Sequence, residues 1–149
     1  HIESRFDPKA VSPAGAVGLC MLMPRTAKRV AKDLFDMRVN RSKLKQPDIN
    51  LTLGARFLRE LIVHFQGHVP LALAAYNAGR GAARGWLRQR AHLETDAFVE
   101  LIPFGQARRY VRRVLSVAGV YRSLHGVEGG LPRVLQPLPL ALGPFMEKD

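Results

Sequence analysis

Apolar residues recur at helical spacing along most of the chain, and no segment is a convincing strand. Pro24 suits the first position of a helix that runs through RTAKRVAKDLF. The next helix carries apolar residues at helical spacing from Leu51 to Phe65, with Asp48 or Asn50 as its candidate N-cap. These patterns predict an all-α fold.

The most apolar segment of the chain runs from Val69 to Ala78. A short helix that is apolar on all sides is typical of the buried centre of a domain, and Gly79 is its predicted C-terminal stop. Two further short helices are predicted near Trp86 and near Phe98.

Residues 105–125 form a predicted long amphipathic helix. Its apolar face comprises Tyr110, Val111, Val114, Leu115, Ala118 and Tyr121. From Gly126 onward, Gly and Pro interrupt every pattern, which indicates an extended tail. We therefore expect a single domain over residues 1–125, followed by a Pro/Gly-rich tail over residues 126–149.

The composition of the chain indicates a hydrophobic core and a class of binding partner. The chain is 47% hydrophobic, enough for a globular core, and its 23 Lys and Arg against 12 Asp and Glu give a net charge of +11. Such a charge favours a polyanionic partner: nucleic acid, an anionic membrane or an acidic cell-wall polymer. Arg108-Arg109 and Arg112-Arg113 are either a solvated helix face or part of such a binding surface. Cys20 is the single cysteine, so no internal disulfide forms.

Several polar or sulfur-bearing residues are candidates for chemistry, and each also has a structural explanation. Tyr76 and Asn77 lie inside the most apolar segment, where they either end a helix or form part of a site. Ser12 lies in a glycine-bearing loop, where a structural turn explains it equally well. Met21 and Met23 are explained as core residues. The histidines lack metal-ligand spacing, and we expect no metal.

Glu3 is an unusual acid in a chain with few acids. It follows Ile2 directly, and Ile2 and Phe6 share one face of any helix formed here. The segment HIESRF is therefore either a solvated terminus or the end of an important helix.

Three linked segments decide between these alternatives. ESRFDPKAVSPAGAVGLCMLMPRTA (residues 3–27), AAYNAG (74–79) and FVELIPFGQARRYVRRVL (98–115) resemble the soluble lytic transglycosylases in order and spacing. DINLTLGARFLREL also matches this family, so the resemblance covers about residues 1–122. It implies a mainly helical lysozyme-like fold. The implied reaction cleaves peptidoglycan between N-acetylmuramic acid and N-acetylglucosamine and leaves a 1,6-anhydromuramic acid end, without a cofactor.

The resemblance implies that Glu3 is the single catalytic acid and base. Apolar neighbours would raise the pKa of its carboxyl group toward working pH. Glycosidases of the usual kind need two carboxylates, but in this family the substrate's N-acetyl group is thought to replace the second. Asp7, in a DP pair, is better explained as a turn residue.

The resemblance also implies a groove and its support. The implied substrate-binding residues are Ser12, Gly18, Met21, Tyr76 and Asn77, and the implied supporting residues are Arg108 and Tyr110. Two positions depart from the family. Met21 stands where the family usually has a sugar-binding Gln, and Gln106-Ala107 stands where it usually has Glu-Thr.

The family's catalytic helix normally begins before its glutamate, so we expect the chain to be an N-terminally truncated part of a longer, exported protein of the periplasm or cell envelope. Its expected partner is the peptidoglycan glycan strand, with possible association with the envelope surface. Three alternatives stay open: a degenerate glycan-binding domain, a lysozyme-type hydrolase, and a nucleic-acid-binding helical domain. The last is favoured only by charge, because no recognition-helix motif or stacking-aromatic pattern accompanies it, and no nucleic acid is expected.

Overall fold

The computed structural model describes residues 3–125, except for the side chains of residues 34, 35 and 125. Over this range the chain is mainly helical, as predicted, and strand-like pairing is limited to isolated bridges. The helices are α1 (Pro24–Phe35), α2 (Pro47–His64), α3 (Val69–Ala78), α4 (Arg80–Arg90), α5 (Thr95–Glu100) and α6 (Gly105–His125), with a 3₁₀ helix over Lys43–Lys45. No helix in the described range is long and apolar enough to span a bilayer. The predicted tail, 126–149, lies outside the described residues.

Proline and glycine correctly marked the start of α1 and the end of α3. α1 begins at Pro24, and α3 ends before Gly79, whose positive φ of 90° suits a residue without a side chain. The predicted cap of α2 is wrong. Because the helix already begins at Pro47, Asp48 lies in its first turn and Asn50 points into the interior, fully buried.

The chain has two compact units, His1–Arg59 and Glu60–Asp149. In the first unit, residues 3–22 form successive turns that are joined by two isolated bridges, from Val17 to Val11 and from Val17 to Leu22. Residues of this loop, of α1, of the 3₁₀ helix and of the start of α2 form the unit's core, which includes Val17, Leu22, Ala27, Val30, Leu44 and Leu53. The loop is thus ordered by burial of its own apolar residues.

The second unit is organised around α3. Residues Pro70 to Ala75 are buried, and α3 packs against α4 and α6, while α5 packs against α6. The predicted apolar face of α6 is buried at Val111 but not at Ala118 or Tyr121, which are exposed. The 21 residues of α6 span about 30 Å, twice the length of the 10-residue α3, so its second half extends beyond this packing.

A buried histidine caps α3. His68 is 3% exposed; its Nδ1 accepts a hydrogen bond from the Leu71 backbone N–H at 3.2 Å, and its Nε2 lies 3.1 Å from Thr95 Oγ1. Because Nδ1 accepts, the neutral ring carries its proton on Nε2 and donates it to Thr95. Burial disfavours the charged ring and lowers the pKa of His68 from 6.5 to about 4.

This cap predicts a pH-dependent stability. The folded state binds the His68 proton more weakly than the unfolded state, so the stabilisation is complete above pH 6.5 and is lost as the pH falls toward 4. We expect the free energy of unfolding to drop by about 2–3 kcal/mol over this interval through His68 alone. His68→Asn, which retains a capping oxygen, should flatten that part of the profile in urea titrations, whereas replacing the exposed His92 should not. An unchanged slope in His68→Asn would contradict the assignment.

Candidate active site

Glu3 begins a tight turn rather than a helical segment. The Asp7 backbone N–H donates to the Ser4 carbonyl at 3.1 Å, and Arg5 and Phe6 both have positive φ, at 54° and 66°. Phe6 is 67% exposed and lies in this turn rather than on a helical face, and Ile2, with which it was predicted to share that face, lies outside the described residues. The turn directs Ser4 inward, and the Oε1 atom of Glu3 is buried.

The carboxyl group of Glu3 affects the thiol of Cys20 electrostatically. Burial raises the pKa of the Cys20 thiol above its usual 9.0, and the negative charge of Glu3 raises it further. Cys20 therefore stays protonated at neutral pH, and the carboxyl group of Glu3 lies within electrostatic range of a neutral sulfur. Sequence patterns gave no indication of this proximity, which depends on how the loop closes.

Ser12 holds the turn that follows Glu3 in the loop. Its Oγ accepts a hydrogen bond from the Ala16 backbone N–H at 3.0 Å, and its backbone N–H donates to the Ala16 carbonyl at 2.9 Å. The structural explanation of Ser12 is therefore correct. The hydroxyl proton is not used in this contact and can still be donated, so the implied substrate contact stays a prediction.

Gly18 and Met21 form the ends of one turn, in which the Met21 N–H donates to the Gly18 carbonyl at 3.0 Å. Both have positive φ, 79° for Gly18 and 46° for Met21. Gly18 is buried, whereas Met21 is half-buried and not part of the core, so the explanation of Met21 as a core residue is wrong. Met23, which is 43% exposed, is not a core residue either.

Asn50 contacts this turn. The sequence motifs did not identify it as a candidate site residue. Its Oδ1 accepts from the Cys20 backbone N–H at 2.8 Å, and its Nδ2 donates to the carbonyls of Val17 and Leu44 at 3.0 and 2.8 Å. The sequence contained one signal: Asn50 precedes Leu53 by three residues, which places a polar side chain on the buried face of α2.

In the second unit, Tyr76 and Asn77 lie in the last turn of α3, and both are half-buried. The five residues before them are buried, so the helix changes from fully buried to accessible at Tyr76. Both side chains therefore reach the surface of their unit, as a binding role requires, and that role stays a prediction.

Arg108 and Tyr110 lie in the first turns of α6, the helix that packs against α3. Arg108 Nη1 donates to the Ile102 carbonyl at 3.1 Å and is 3.4 Å from the Glu100 carbonyl, so it secures the connection between α5 and α6. At the divergent pair, Gln106 is exposed and Ala107 is buried. These contacts are structural, and the implied role of Arg108 and Tyr110 in supporting the site stays a prediction.

The described residues include no group of three or more His, Cys, Asp or Glu side chains that could hold a metal ion. Residues 1–99 match the family model described as the transglycosylase SLT domain. The chain belongs to this family.

Proteins similar to this SLT domain include the soluble lytic murein transglycosylase of Salmonella typhimurium, which is 39% identical over 132 residues. That match covers 87% of the chain but 20% of the relative, so the chain spans about a fifth of the length of this relative.

Two solved structures share the fold. The 70 kDa soluble lytic transglycosylase of Escherichia coli superposes with a TM-score of 0.81 at 35% identity, covering 91% of the chain and 22% of that protein. An inactive Glu-to-Gln mutant of the lytic transglycosylase Slt from Pseudomonas aeruginosa superposes at 0.80 with 39% identity and the same coverage. The predicted lysozyme-like, mainly helical fold of the SLT domain is confirmed.

Proposed function

We propose that this chain is the catalytic domain of a peptidoglycan lytic transglycosylase of the bacterial envelope. It cleaves the β-1,4 bond between N-acetylmuramic acid and N-acetylglucosamine and forms a 1,6-anhydromuramic acid end. The observation that carries the proposal is the half-buried Glu3, in a segment matched by the SLT family model. The inactivity of a Glu-to-Gln mutant of the P. aeruginosa relative supports the proposal, because a glutamate is essential in that protein.

In this mechanism Glu3 starts protonated and gives its proton to the glycosidic oxygen as the C1–O4 bond breaks. The N-acetyl carbonyl of the muramic acid stabilises C1 in place of a second carboxylate. The Glu3 carboxylate then takes the proton of the C6 hydroxyl as O6 bonds to C1. The acid is regenerated, and no water is consumed.

Within each unit, the proposed substrate-binding and supporting residues have separate parts. Ser12, Tyr76 and Asn77 carry hydroxyl and amide groups suited to bind sugar hydroxyl and N-acetyl groups, while Gly18 shapes the loop and Arg108 secures the start of α6. Tyr110 has the accompanying supporting role. Peptidoglycan glycan strands are the partner, and the domain acts as part of a longer polypeptide.

The mass of the product ends tests this reaction. Purified sacculi incubated with the domain should release muropeptides that end in 1,6-anhydromuramic acid, one water lighter than hydrolysed ends. Reducing ends would identify a lysozyme-type hydrolase instead. Binding without release would identify a glycan-binding domain, the alternative that the divergent Met21 and Gln106 favour.

Replacing Met21 tests whether a sugar contact has been lost. Met21→Gln should raise cleavage efficiency by up to about tenfold, because a new hydrogen bond of about 1 kcal/mol can form in the transition state. Met21 is half-buried, and its backbone is already in the left-handed conformation. Glutamine would occupy the same backbone conformation. The gain should disappear in the double mutant with Glu3→Gln. A stable Met21→Gln protein without improved kcat/KM would contradict this interpretation.

A further inference from the structure

The carboxamide of Asn50 is a buried connector within the first unit. It is fully excluded from solvent and makes three hydrogen bonds, all to backbone groups and all between 2.8 and 3.0 Å. Both Nδ2 hydrogens are donated and Oδ1 accepts, so the amide uses both of its donors. Its partners belong to three separate places in the chain: Val17, Cys20 and Leu44.

The turn fits closely against this amide. Gly18 lies between the two loop residues that Asn50 binds, and a Cβ at Gly18 would collide with the Asn50 side chain and the Leu44 carbonyl. Its backbone N–H also donates to the Ala10 carbonyl at 2.9 Å. Neither side of the contact can move alone, because one is a saturated buried amide and the other is hydrogen-bonded backbone.

The turn that Asn50 binds contains Cys20, and the charge of Glu3 raises the pKa of the Cys20 thiol. Cys20 is bound to Asn50 through its backbone N–H, and its side chain is in electrostatic range of the Glu3 carboxylate. Met21 follows directly in a left-handed conformation. Backbone hydrogen bonds also connect the turn to the segment of Glu3: the Gly18 N–H donates to Ala10, the Ala10 N–H to Asp7 and the Asp7 N–H to Ser4. We propose that Asn50 is a positioning residue, which fixes the turn of residues 18–21 and, through these backbone hydrogen bonds, the segment that carries Glu3. This inference rests on the proposed role of Glu3 in catalysis.

Asparagine is specific for this position. Aspartate would place a carboxylate against two carbonyl oxygens, and leucine would leave three buried backbone groups without partners. Glutamine is one methylene longer and would press against Gly18, which has no free space on that side.

The lone thiol of the chain permits a test that does not depend on activity. The rate of Cys20 alkylation by iodoacetamide, measured against pH, gives the thiol pKa. In the wild-type background, Glu3→Gln should move this titration to lower pH, because it removes a negative charge near the sulfur. In the Asn50→Ala background the same substitution should have no effect, since the turn no longer holds the thiol in its place relative to the Glu3 segment.

Thr52→Ala, at an exposed position of the same helix, is the matched control and should preserve the Glu3-dependent shift. Against sacculi, Asn50→Ala should lower kcat by about 10- to 100-fold and change KM much less, because a displaced acid impairs the reaction more than binding. Asn50→Ser, which keeps one hydrogen-bonding group, replaces Asn50→Ala in the same comparison if the alanine variant does not fold.

The possible failures can be distinguished. A Glu3-dependent thiol shift that survives in the folded Asn50 variant, or an unchanged kcat, overturns the positioning role. A thiol shift that depends on Asn50 while Glu3→Gln still cleaves sacculi overturns the proposed catalytic role of Glu3 and leaves Asn50 as the residue that fixes the turn.

Discussion

Glu3→Gln is expected to lower the rate of glycan cleavage by about 10²- to 10⁴-fold, the usual contribution of a positioned acid and base. Glutamine preserves the shape of the side chain in its half-buried position but has no transferable proton. Binding to sacculi and the melting temperature should therefore remain near the wild-type values. The measurement is the initial rate of anhydro-muropeptide release at saturating substrate, compared with a sedimentation assay of binding.

Asp7→Asn is the matched control for this experiment. Asp7 is an exposed carboxylate in the same segment, and its Oδ1 accepts a hydrogen bond from the Lys9 backbone N–H at 2.8 Å. Asparagine retains that acceptor, so we expect cleavage within about twofold of wild type, since most surface substitutions have small effects. Substantial turnover in Glu3→Gln, or a comparable loss in Asp7→Asn, would remove the case for Glu3 as the single acid.

Gly18→Ala is expected to destabilise the domain by about 2–5 kcal/mol. A side chain at a φ of 79° costs about 1–2 kcal/mol, and overpacking adds about 1–3 kcal/mol. The groups that the new Cβ would meet are the buried Asn50 amide and the Leu44 carbonyl, neither of which is the free end of a flexible side chain. Urea denaturation should show a large fall in the transition midpoint.

Gly85→Ala is expected to have the opposite effect on stability. Gly85 lies inside α4, where an added Cβ meets nothing within 4 Å. Alanine should stabilise the helix by about 0.4–1 kcal/mol, because it restricts the unfolded chain without a clash. If the two alanine variants were equally stable, the close contact at Gly18 would not control the stability of the loop.

Local signals predicted much of the fold. The bounds of α1 and α3 follow from proline at helix starts, glycine after a helix end and apolar spacing, all of which act over a few residues. The predicted N-cap of α2 was wrong because a Pro–Asp start and an interior asparagine both suit the first turn of a helix. Only the position of Asn50 relative to the loop distinguishes them.

The parts of the candidate site that could not be predicted depend on contacts between distant residues. The hydrogen bond from the Cys20 backbone N–H to Asn50 joins positions 30 apart. Outside the site, the cap of α3 likewise depends on a contact between His68 and Thr95, which are 27 positions apart. No local pattern encodes such pairs. The resemblance to the family identified Glu3 and Gly18 as candidate site residues. Only the geometry of the loop explains why a glycine is needed at position 18.

The single tryptophan gives the second unit its own optical signal. Trp86 is 7% exposed in α4, and its ring meets the ring of Phe104, just before α6, edge to face at 5.1 Å. Its fluorescence emission should therefore shift to longer wavelength when this contact is exposed to water. Compared with alkylation of Cys20 in the first unit, it would show whether the two units melt together or in succession.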